Sequence, residues 1–137
     1  MIGILIVTHS SLGDALIETA EFINGSKLDD LVSVSIDLNE SADKLREKIA
    51  AGIKKVNQNQ GILILTDMFG GTPSNLSYSF LEEGQVEVIS GVNLPILLKA
   101  IDLRKEMELN KLAMSLETYG KKSISLASEI LKGNKRS

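Results

Sequence analysis

Ile4-Leu5-Ile6-Val7 and Ile62-Leu63-Ile64-Leu65 are uninterrupted apolar runs that close on polar residues, Thr8-His9-Ser10 and Thr66-Asp67. A strand with one wet face alternates apolar and polar side chains, whereas a strand covered on both faces does not. The two runs therefore predict buried strands over Ile2–Val7 and Gly61–Thr66. Two further β-rich runs lie at Leu31–Ile36 and Val86–Ser90. In the former, Val32, Val34 and Ile36 alternate with Ser33 and Ser35, which places that strand nearer an edge.

The intervals between these runs are helical in pattern. Leu12, Leu16, Ala20 and Ile23 share one helix face, with Gly25 placed to end it. Leu45, Ile49, Ile53 and Val56 repeat the stripe, with Asn39 or Ser41 as cap. Thr72-Pro73 reads as a hydroxyl cap followed by proline in the first turn, and Asn93-Leu94-Pro95 opens a fourth helix similarly. From Glu108 onward the pattern is helical again, with an interruption expected at Gly120. Strands alternating with helices predict an α/β fold, a mostly parallel four-stranded sheet flanked by helices and joined by right-handed crossovers. One domain is expected over 1–132, followed by a short basic tail over 133–137.

Composition narrows the function classes. Among 137 residues the net charge is -3, which gives no general attraction to nucleic acid or to an anionic membrane. Cysteine is absent, which removes disulfides, thiolate catalysis and zinc sites of the Cys type and fits a reducing compartment. No basic segment precedes the first apolar run and no small-residue cleavage site follows it. No run approaches the length needed to cross a bilayer. A cytoplasmic protein is expected, with no nucleic-acid partner.

In a parallel sheet the loops that follow the strands gather at one edge, where such folds place their ligands. The single histidine, His9, stands at that edge, and Asp67 follows the third strand there. If the two strands are neighbours, the carboxylate accepts from Nδ1 and presents Nε2 as the reactive nitrogen. Asp67 is equally suited to cap the turn before Gly70. The stretch Gly70-Gly71-Thr72-Pro73-Ser74-Asn75 runs a glycine pair into a helix start, where free amides and the helix dipole favour an anion. Candidate phosphate-binding residues are Ser10, Gly70, Gly71 and Thr72, with Ser74 and Asn75 as further donors. Histidine, carboxylate and phosphate cradle at one edge suit transient phosphorylation of His9. The patterns GxxxxGK[ST], GxGxxG and GxSxG are absent. One histidine with Asp37 or Asp67 is a poor zinc set, so neither a metal nor a cofactor is expected.

Three blocks carry a family resemblance: Gly3-Ile4-Leu5-Ile6-Val7-Thr8-His9-Ser10, Thr66-Asp67-Met68-Phe69-Gly70-Gly71-Thr72-Pro73-Ser74-Asn75, and Ile89-Ser90-Gly91-Val92-Asn93-Leu94-Pro95-Ile96-Leu97. In order and spacing they resemble the IIA component of the mannose-family phosphoenolpyruvate:sugar phosphotransferase system. The dihydroxyacetone kinase subunit is the nearest rival, but the second and third blocks fit the mannose type better. The resemblance implies a phosphotransferase component whose histidine, here His9, takes phosphate from the carrier protein HPr and passes it to a IIB component for sugar uptake. It implies that Asp67 orients the imidazole and that Thr72, often serine in the family, lies at the phosphate site. It also implies a homodimer that exchanges a C-terminal antiparallel strand, for which Lys122–Ala127 is the candidate. Many relatives continue through a linker rich in Ala and Pro into a IIB domain. This sequence ends at Ser137, so a separate IIB protein is the expected acceptor, and membrane contact is indirect, through a transporter. The alternatives are a stand-alone regulatory phosphoprotein and a metal-dependent enzyme.

Overall fold

The computed structural model describes residues 1–133; residues 134–137, most of the expected basic tail, lie outside the described residues. Strands β1 (Gly3–His9), β2 (Leu31–Ile36), β3 (Ile62–Thr66) and β4 (Val86–Ser90) form one sheet in the order β2-β1-β3-β4. All three pairings are parallel, so the expected sheet is the observed one. The alternation of side chains across the pleat explains why its central strands read as continuous apolar runs. Ile4, Ile6, Leu63 and Leu65 point into one core, packed with Leu97, Leu112 and Leu116. Leu5, Val7, Ile62 and Ile64 point into the other, packed with Leu45, Ile49 and Leu76. The alternating strand β2 lies at one edge, as its pattern predicted, and β4 forms the other.

The helices are α1 (Leu12–Asn24), α2 (Ala42–Val56), α3 (Thr72–Tyr78), α4 (Leu94–Leu103), α5 (Leu109–Lys122) and α6 (Ala127–Leu131). Gly25 ends α1 at φ 84°, a left-handed conformation that costs glycine little. Of the two candidate caps for α2, Ser41 serves: its side chain accepts the Lys44 amide at 3.2 Å. Asn93 caps α4 as expected, accepting from the Ile96 amide at 2.9 Å.

Two expectations are corrected. Thr72 does not cap α3; Gly71 occupies the cap position and Thr72 is the first helical residue. Helix α5 is not interrupted at Gly120 but runs through it. A Cβ there would stand 2.6 Å from Cδ1 of Ile96, so the glycine lets α5 lie closely on α4. Of the candidate exchanged strand Lys122–Ala127, Lys122 ends α5, Ala127 begins α6, and residues 123–126 lie between the two helices.

Candidate functional site

The ladder between β1 and β3 sets Val7 opposite Thr66, which brings the ends of both strands to the same edge. Strand β1 extends past its expected end at Val7: Thr8 and His9 pair with Ser35 and Ile36 of β2. The His9 backbone is thus held by a sheet ladder instead of lying in a loop.

Asp67 meets it directly. The Asp67 Oδ2 atom accepts the His9 amide at 2.9 Å and lies 2.7 Å from Nδ1 of the ring, while Oδ1 accepts the Met68 amide at 2.9 Å. One carboxylate therefore caps its own turn and contacts the imidazole. Its side chain retains 12% exposure against 39% for His9. Burial alone works to raise the Asp67 pKa, but the His9 amide, the imidazole and the Met68 amide together hold it below 3.8. An ionised carboxylate can only accept, so in the neutral ring the proton sits on Nδ1 and the lone pair on Nε2.

The 67–72 loop borders the Nε2 side. A Cβ on Gly71 would lie 3.0 Å from His9 Cε1 and 3.6 Å from Nε2, so this residue's lack of a side chain keeps the ring edge open. Gly70 makes the exposed turn before it at φ 87°, and the first turn of α3 carries no side-chain cap. Ser10 follows His9 in a left-handed conformation, φ 50°, with its amide bonded to the Ile36 carbonyl at 3.4 Å. Thr72 is half-buried at the start of α3. Among the described residues, neither Ser10 nor Thr72 hydrogen-bonds to His9 or Asp67. Asn75 is exposed on α3.

Ser74 departs from its expected place among the anion donors. Fully buried, it bonds the Met68 carbonyl and contacts Thr66 Oγ1 at 2.7 Å and Ser90 Oγ at 3.1 Å. Thr66 also reaches Ser90 at 2.9 Å, and the Tyr78 hydroxyl lies 2.8 Å from Ser90. The reading of the sequence passed over Thr66, Ser90 and Tyr78. The available signal was that Thr66 and Ser90 are hydroxyl residues ending adjacent strands, which the β3–β4 register sets opposite each other. Met68 and Phe69 are exposed beside the site, at 54% and 79%. Among the described residues no three His, Cys, Asp or Glu side chains gather in a metal-holding group, and no helix is long and apolar enough to cross a membrane.

The EIIA-man family model, described as PTS system fructose IIA component, matches residues 3–117. The chain belongs to the EIIA-man family. It is 35% identical over 132 residues to the fructose-specific EIIA component of Bacillus subtilis, covering 96% of this chain and 90% of that protein. It is 33% identical over 106 residues to the mannose-specific EIIAB component of Escherichia coli K12, a match that spans 77% of this chain and 32% of that longer protein. The crystal structure of phosphotransferase system component EIIA from Streptococcus agalactiae shares 29% identity and a TM-score of 0.81, covering 93% of this chain and 98% of that one. The resemblance read from the three sequence blocks is thus borne out. An EIIA-man chain is a component of the sugar phosphotransferase system, and His9 with Asp67 is its candidate centre.

Proposed function

We propose that His9 is a phosphate carrier, accepting a phosphoryl group from phospho-HPr on Nε2 and passing it to a IIB protein. The observation that carries this reading is the contact between Asp67 Oδ2 and Nδ1, which leaves Nε2 as the nucleophilic nitrogen. In the transfer the donor's N–P bond breaks and an Nε2–P bond forms. No proton leaves His9: Nδ1 keeps its own, and the positive charge that develops on the ring faces the ionised Asp67. Little covalent work falls to the protein, so positioning and charge stabilisation supply most of the rate. Gly70, Gly71 and Thr72 form the proposed phosphate cradle, with Ser10 on its other side. Support comes from the open ring edge at Gly71 and the uncapped first turn of α3.

Leu12, Leu38, Met68 and Phe69, all exposed at this edge, suit the docking of a protein carrying phosphohistidine. A homodimer is part of the same proposal: the Lys122–Ala127 region of one copy lies antiparallel along β4 of a second. In support, β4 is an edge strand, bordered by a groove of about 670 Å³ that Val88, Ile89, Ile96 and Met114 line.

The test is labelling from phosphoenolpyruvate through enzyme I and HPr. Wild type should acquire an acid-labile, base-stable phosphate, and His9→Ala should acquire none. Persistent labelling of His9→Ala would overturn the assignment. Adding a IIB protein should then remove the label; a label that stays would favour the regulatory role over onward transfer.

A further inference from the structure

The hydroxyls of Thr66, Ser74, Ser90 and Tyr78 form a cluster between the ends of β3 and β4 and the body of α3. Their four protons can be placed by counting. The Met68 carbonyl has no proton, so Ser74 must donate to it. With that proton committed, the contact between Ser74 and Ser90 requires Ser90 to donate. The Ser90 proton is then used, so Tyr78 donates to Ser90. Thr66 shares its proton between the two serine oxygens. The chain therefore runs one way, from Tyr78 through Ser90 and Ser74 to the Met68 carbonyl.

From Met68 the connection continues. The Met68 amide donates to Asp67 Oδ1, and Asp67 Oδ2 holds both the backbone and the ring of His9. Thr66 and Ser74 are fully buried, so water does not readily replace either of their hydroxyls. We propose that Ser74 is a positioning residue: by holding the Met68 carbonyl it fixes the Met68 backbone, whose amide in turn holds the Asp67 carboxylate, and so the tautomer and aim of His9. For catalysis this rests on His9 carrying phosphate; for the tautomer it does not.

The chain contains one histidine, so ring-nitrogen NMR reports His9 without ambiguity. In wild type, Nδ1 should be protonated and Nε2 bare. Ser74→Ala should show a mixed tautomer and slow transfer from phospho-HPr by about ten- to a hundredfold. The control is Ser77→Ala, which removes an equally buried serine of α3 that donates only to the Pro73 carbonyl. It should leave both readouts at wild-type values despite a comparable stability loss. Ring signals of a folded Ser74→Ala protein matching wild type would overturn the proposal. So would a Ser77→Ala protein shifted to the same degree. If Ser74→Ala does not fold, Ser74→Cys and Ser74→Thr carry the test: the weak thiol donor should show the mixed tautomer and the retained hydroxyl should not, and wild-type ring signals in Ser74→Cys would overturn the proposal. Failure of wild type to accept phosphate would refute the carrier role alone, because the NMR comparison requires no transfer.

Discussion

Asp67 joins two jobs that the sequence left as alternatives, the turn cap through Oδ1 and the imidazole partner through Oδ2. The same bonds make it a stability element with a definite pH dependence. Its folded pKa lies below the 3.8 of an unperturbed aspartate, so its ionised form is favoured by folding. That contribution is fully present above about 3.8 and is lost as pH falls through the lower folded value. Wild type should therefore exceed Asp67→Asn in unfolding free energy by more at neutral pH than well below 3.8. Denaturant melts of both proteins across that range measure the difference, and an advantage independent of pH would contradict a stabilising role for the ionised carboxylate. The His9–Asp67 contact was legible because each residue ends a strand, and adjacency of those strands was the one missing fact. Ser74 was misassigned for the opposite reason. Nothing local distinguishes a serine donating to a ligand from one folded back onto the Met68 carbonyl.

Between elements, the closest approach in the sheet is that of α2 to β1. A Cβ on Gly3 would stand 2.1 Å from the Val56 carbonyl oxygen, a backbone atom that no rotamer change can move. Gly3→Ala should lower stability by roughly 3 kcal/mol, at the upper end for an overpacked core, as equilibrium urea unfolding would read. A loss within about 0.5 kcal/mol, the range of a surface change, would mean that α2 does not end against the strand. The elements most legible in sequence were those whose signals are local. Leu31–Ile36 and Val86–Ser90 have the bounds expected, and Gly25, Ser41 and Asn93 act as the punctuation they resemble. Gly120 did not obey its local meaning. Close contact with the Ile96 side chain of another helix favours a glycine there, and that contact is invisible until the fold is known. Thr72 gave way to Gly71 as cap by a single residue, a shift that cap chemistry alone does not decide.

At the level of the whole molecule, β2 and β4 form the sheet edges, with only the isolated Glu82–Val86 bridge on β4 among the described residues. Ile124, Leu126, Ile130 and Leu131 are exposed beyond α5, at 75%, 57%, 47% and 85%. Apolar area of this kind gains when a second surface covers it. Under the dimer proposal, wild type should sediment near twice 14.8 kDa, and removal of residues 123–137 should give a monomer. Analytical ultracentrifugation separates the two, and an intact chain that stays monomeric at high concentration would remove the dimer proposal. The C-terminal region was the least legible part of the sequence. Whether Lys122–Ala127 pairs as a strand is set by long-range contacts that no local sequence signal carries.

The Tyr78 phenol lies at the head of the hydroxyl chain that ends on the Met68 carbonyl. The protein has no tryptophan and two tyrosines, the second of which, Tyr119, sits under the Lys99 ammonium on α4. Tyr119→Phe would leave a single native fluorophore, with its hydroxyl wired to the loop beside His9. Under the carrier proposal, emission from that ring should change as phosphate reaches His9, an optical readout with no dye attached to the protein.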